Sequence, residues 1–146
     1  MIRPILRFPA SKNYLSSYVS GTFELADKSR IGDIDIMRAI KINGKARDVI
    51  RGFAKPVRKT IGELLLKLQI GVDLGMPEAR PMPGLYKGAY ELRLKDAAGI
   101  YRVFYYLKSE QGILVFHAFT KKTQQTPQNE MELGRKRLKE MLQNES

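Results

Sequence analysis

Three apolar segments follow one another between residues 89 and 119 with only tight turns between them, and that succession restricts the fold most. AYELRL (89–94) is followed by IYRVFYYL (100–107) across the turn Asp96 to Gly99, and GILVFHAF (112–119) comes after a turn at Ser109 to Gly112. Each segment is rich in β-branched and aromatic residues and short enough to be one strand. Connections this short join antiparallel neighbours, because a parallel pair needs a crossover of roughly a dozen residues. The expectation is an antiparallel meander.

The segments before and after it read as helices. Ala46, Val49, Ile50 and Phe53 recur at helical spacing. Pro56 suits the first turn of a second helix, whose apolar stripe is Val57, Ile61, Leu64, Leu65 and Leu68, with Gly71 as its C-cap. Ahead of both, Ile36, Ala39, Ile40 and Ile42 form a short β-prone run that stops at the turn signal Asn43-Gly44. Residues 72–87, with three prolines and two glycines, are expected to be a loop. After the meander, Thr126 is placed as an N-cap and Pro127 at the first helical position. Met131, Leu138, Met141 and Leu142 give that last helix a narrow apolar side, and Arg135, Lys136, Arg137 and Lys139 crowd the rest. The order β-α-α-β-β-β-α makes an α+β domain over residues 37–146. Residues 1–36 mix Pro4, Pro9, Gly21 and Gly32 with short apolar groups and read as an N-terminal extension.

Composition narrows the chemistry. There is no cysteine, so disulfides and thiolate metal sites are excluded, and the one histidine, His117, excludes sites that need two imidazoles. No carboxylates pair at a metal-holding spacing, and no glycine-rich phosphate loop is present. Neither a metal nor a cofactor is expected. No apolar run approaches the roughly 20 residues of a membrane span, and the first residues build no signal-peptide pattern, so a cytoplasmic protein is expected. Twenty-six Lys and Arg oppose fifteen Asp and Glu, a net charge of +11. Residues 1–36 hold five basic and four acidic side chains, so nearly all of the excess lies in residues 37–146. A field of that sign attracts polyanions.

Alternation within the strands gathers candidate residues. Glu91 and Arg93 share a face opposite Tyr90, Leu92 and Leu94. Arg102 lies among Tyr101, Val103 and Phe104, a costly place for a guanidinium unless it is paired or functional. His117 is followed within five residues by Lys121 and Lys122. Antiparallel neighbours can bring Arg93, Arg102 and the lysine pair to one surface. Such a metal-free group suits RNA cleavage by the substrate's own 2′-hydroxyl, with cations holding the phosphate and stabilising charge on its oxygens. Structural readings stand beside these: Arg102 as an ion pair with Glu91, Lys121 and Lys122 as a solvated turn, His117 as a core residue, and the tyrosines as sheet packing.

LGMPEARPM (74–82), KGAYELRLKDAAGIYRVFYYL (87–107) and HAFTKKTQQTP (117–127) resemble phage-related toxins of the RelE/HigB superfamily. The resemblance covers residues 37–146 in matching order. It implies a RelE-like fold: two N-terminal helices and a C-terminal helix packed on a small, mainly antiparallel sheet. It also implies a toxin of a two-gene toxin–antitoxin module, typically a ribosome-dependent endoribonuclease that cuts messenger RNA. Its cognate antitoxin is often a helix-turn-helix protein. By the resemblance, Arg102 is the phosphate-contacting position, Arg93 and Lys95 are basic positions on the preceding strand, and Lys121 and Lys122 are a further basic element of the site. The catalytic set is then Arg93, Arg102, Lys121 and Lys122. Lys95, His117, Arg135 and Lys136 are candidate RNA contacts, His117 by proximity only. A tyrosine that some relatives use near the last helix has no clear match. Two readings of another class remain: a non-catalytic inhibitor that binds nucleic acid or the ribosome, and a gyrase-poisoning relative. Relatives commonly begin near the position of Met37, so residues 1–36 read as an accessory segment or the product of an upstream start codon.

Overall fold

The computed structural model describes residues 37–109, 112–123 and 125–145. The extension at 1–36, Ile36 of the first apolar run and the middle of the Ser109 to Gly112 turn lie outside the described residues. In chain order the elements are β1 (Ala39–Ile42), α1 (Gly44–Arg51), α2 (Lys55–Gln69), β2 (Ala79–Pro81), β3 (Ala89–Asp96), β4 (Gly99–Ser109), β5 (Gly112–Lys121) and α3 (Gln128–Glu145).

The meander forms as its turns require, with β4 antiparallel to both β3 and β5. Two strands extend it, giving the order β1-β5-β4-β3-β2. β1 pairs parallel to β5, from Ala39 opposite Gly112 to Ile42 opposite Val115, so the sheet is mixed. The expected loop at 72–87 contains β2, which pairs antiparallel with β3. Pro81 is tolerated there because β2 is an edge strand, where a missing N–H interrupts no ladder.

Local chemistry sets the helix ends. The turn signal at Asn43 serves as the cap of α1: its side-chain oxygen accepts from the N–H groups of Lys45 and Ala46 at 2.9 and 3.1 Å. α2 closes through Gly71, whose φ of +92° suits glycine. The Gly71 N–H bonds to Leu68 O and the Val72 N–H to Lys67 O, which satisfies two carbonyls of the last turn. α3 begins one residue later than expected. Thr126 is not its cap; the Thr126 hydroxyl donates instead to Glu91 Oε2 at 3.2 Å.

Each face of the sheet has its own core. α1 and α2 cover one face, packing Val57, Ile61 and Leu65 against Leu92, Val103 and Val115. On the other face, Leu138 and Met141 of α3 meet Phe104, Leu114 and Phe116. Gly134 lets α3 approach, since a Cβ there would lie 3.0 Å from Cδ2 of the fully buried Phe104.

One irregularity decides where the chemistry lies. In the β4–β5 ladder Phe104 faces His117 while Tyr105 faces Val115, so Phe116 is an extra residue, a β-bulge. Without it, alternation from Ile113 and Val115 would carry His117, Phe119 and Lys121 to the α1–α2 face. With it, Phe119 joins the α3-side core, and His117 and Lys121 share that face.

Candidate functional site

Beyond the end of α3's coverage, this face opens into a cleft of about 700 Å³ at the turn end of β3, β4 and β5. The ladder builds it. Arg93 lies opposite Arg102, and Lys121 lies opposite Ile100, two residues before Arg102. Arg93, Lys95, Arg102, Lys121 and Lys122 all line the cleft, with Thr123, Leu94, Ile100, Met76 and Pro77. Among the described residues, no carboxylate lines it.

Arg102 is the most enclosed of these cations, 5 % exposed. Its Nε lies 3.5 Å from Glu91 Oε2, and its NH1 donates to Tyr101 O at 3.1 Å. Glu91 is fully buried and is shared with Arg80 of β2, whose NH2 stands 3.4 Å from Oε1. Burial pushes the Arg102 guanidinium below its ordinary range, Glu91 opposes that shift, and Arg93 and Arg80 add to it. Arginine stays charged all the same. The Lys121 amine is also pulled below the usual lysine range, first by burial and then by the Arg102 charge, against the pull of Glu91. A cleft of this kind can bind a phosphodiester, place cations on its non-bridging oxygens and supply a proton from an acidified ammonium.

Three expected contacts stand elsewhere. His117 is buried and is not among the cleft's lining residues. Its Nε2 lies 2.7 Å from Glu130 Oε1, and its Nδ1 lies 2.7 Å from Arg137 NH1, both on α3. A guanidinium only donates, so Nδ1 accepts and the Nε2–H donates to Glu130. The ring is therefore neutral. Burial lowers its pKa below 6.5, the Glu130 hydrogen bond opposes this, and the Arg137 charge adds to it. Arg135 ties α3 to the segment before β3 through Leu85 O at 3.0 Å and Gly84 O at 3.1 Å, and Lys136 is exposed on the same helix.

The linkage for His117 has a definite sign. A histidine whose folded pKa is depressed adds stability above pH about 6.5, and that contribution is lost as pH falls towards the folded value. Between pH 7.5 and 5, the wild-type melting temperature should fall more than that of His117→Gln, measured under the same conditions. Parallel curves would show that His117 does not fasten α3.

Sequence reasoning missed Arg80, hidden in a stretch taken for loop, and the hydroxyl of Thr126, taken for a helix cap. The signal for Arg80 was its place among charged and apolar residues at alternate positions, too short a run to read as a strand.

The sequence pattern of the family described as "Phage derived protein Gp49-like (DUF891)" matches residues 48–139, which include every cleft residue named above. No curated protein matches the chain.

Proposed function

The chain belongs to the phage-derived Gp49-like family, and from that premise we propose that it is the toxin of a two-gene toxin–antitoxin module, an endoribonuclease that cuts messenger RNA on the ribosome. The observation that carries this reading is the gathering of five cations in one cleft that no carboxylate lines among the described residues. The helix order and the sheet support a RelE-like arrangement over residues 37–146, with the cytoplasm as its place of action. Among the described residues, no helix is long and apolar enough to cross a membrane.

In the proposed reaction the 2′-oxygen attacks the adjacent phosphorus and the bond to the 5′-oxygen breaks. A 2′,3′-cyclic phosphate and a 5′-hydroxyl result. Arg102 and Arg93 stabilise the charge that develops on the phosphate oxygens, where donors held in advance contribute most. Lys121 gives a proton to the departing 5′-oxygen while the 2′-hydroxyl proton passes to water. Lys95 and Lys122, both exposed, guide the strand. The partner that silences the cleft is a cognate antitoxin, a helix-turn-helix protein in this reading.

Primer extension on messenger RNA in a reconstituted translation reaction checks the reading. Added protein should produce new 3′ ends within the translated region, and those ends should depend on the ribosome. Binding should weaken with salt, by roughly 0.7 in log–log slope for each single-strand phosphate neutralised. Translation arrest with intact messenger would favour the non-catalytic inhibitor instead.

A further inference from the structure

Among the described residues, Glu91 is the one buried carboxylate on the cleft side of the sheet, and the chemistry above makes no use of it. Three cations bear on it directly. Arg80 is its register partner on β2, Arg102 reaches it from β4, and the Lys121 charge is coupled to it, while Arg93, two residues along β3, acts on Arg102 and Lys121. The Thr126 hydroxyl holds its Oε2 from the segment that leads into α3.

We propose that Glu91 is a positioning residue, whose carboxylate holds the Arg102 guanidinium where it meets the scissile phosphate. This rests on the RNA-cleaving reading above. The contact geometry is what separates the role from simple stabilisation. The strongest arginine–carboxylate pairs are short and bidentate, with two parallel N–H···O bonds. Here both ion pairs are long, 3.4 and 3.5 Å, and Arg80 Nε, Arg102 Nε and Glu91 Oε1 are buried without a hydrogen-bond partner. Such a cluster is a poor clamp for the fold. It is well suited to placing charge: Nε of Arg102 faces Glu91, NH1 is engaged by Tyr101 O, and NH2 takes no hydrogen bond among the described residues. That nitrogen is the one left for a phosphate oxygen. Without the carboxylate, Arg80, Arg93, Arg102 and Lys121 would repel one another and the guanidinium would lose its anchor.

The test is single-turnover cleavage of messenger RNA on programmed ribosomes by the full chain, in four forms: wild type, Glu91→Gln, Arg102→Ala and the double variant. Melting temperatures are taken on the same preparations. Glu91→Gln keeps the shape and removes the charge. It should lower the rate at saturating protein by on the order of 10 to 10², as misplacing a catalytic group does, with little change in the concentration for half-saturation. In the Arg102→Ala background the same change should add nothing, because its effect passes through Arg102. Should Glu91→Gln fail to fold, Thr126→Val loosens the same carboxylate without altering any charge and should give a smaller loss, again absent when Arg102 is alanine. Wild-type rates in folded Glu91→Gln, or losses that simply multiply in the double variant, would overturn the positioning role while leaving the RNA-cleaving reading intact. Full cleavage by folded Arg102→Ala would likewise overturn the positioning role, because there would be no catalytic guanidinium for Glu91 to place, whereas no cleavage by the wild type would overturn that reading itself.

Discussion

Arg102→Ala should leave a folded protein that still binds ribosomes but cuts messenger RNA on the order of 10² to 10³ more slowly, the usual cost of removing one electrostatic stabiliser. The expectation follows from where the guanidinium lies. It is nearly enclosed and lines the cleft, with one of its nitrogens engaged by a backbone carbonyl. Arg102→Lys should stay clearly defective, since an ammonium cannot meet a carboxylate, a carbonyl and a phosphate at once in the planar fork those partners fit. A purely structural ion pair with Glu91 predicts otherwise. The melting temperature would then fall and activity would drop only with the folded fraction. Measuring both quantities on one preparation separates the two.

Phe104→Ala should be the most destabilising of the simple substitutions on the α3 side. The ring is fully buried, with Phe116, His117 and Phe119 rings centred 5.8, 5.7 and 5.4 Å away. Truncating a buried phenylalanine costs roughly 3–5 kcal/mol. Against a total stability of about 5–15 kcal/mol for a domain, that is a fall in melting temperature of roughly 10 °C or more. Gly134 supplies the internal control. A Cβ there meets the Phe104 ring at 3.0 Å, so Gly134→Ala should be better tolerated in the Phe104→Ala protein than in the wild type. Equal effects in both backgrounds would mean that Phe104 is not what holds position 134 to glycine.

What could be read from the sequence was what short-range pattern encodes. The meander followed from turns only a few residues long, and helix α2 from the stripe Val57, Ile61, Leu64, Leu65, Leu68 closed by Gly71. Alternation placed Glu91 with Arg93 and marked Arg102 as out of place in an apolar strand. What stayed hidden depends on distant partners or on phase. The parallel pairing of β1 with β5 joins segments about 70 residues apart, and nothing local in AIKI announces it. β2 is three residues among prolines. The Phe116 bulge lies in ILVFHAF, where both faces of the strand are apolar, so no change of pattern betrays the shift. For that reason Lys121 could be placed near Arg102 only by assuming convergence, and the approach of His117 to Glu130 and Arg137 could not be foreseen.

Attack by the substrate's own 2′-hydroxyl is tested by a messenger carrying a single 2′-deoxynucleotide at a site already mapped as cut on the ribosome. The protein should bind ribosomes programmed with this messenger as before and leave that one position uncut, while neighbouring ribonucleotide sites remain susceptible. Cleavage at the deoxynucleotide at the rate of the all-ribose messenger would contradict the account.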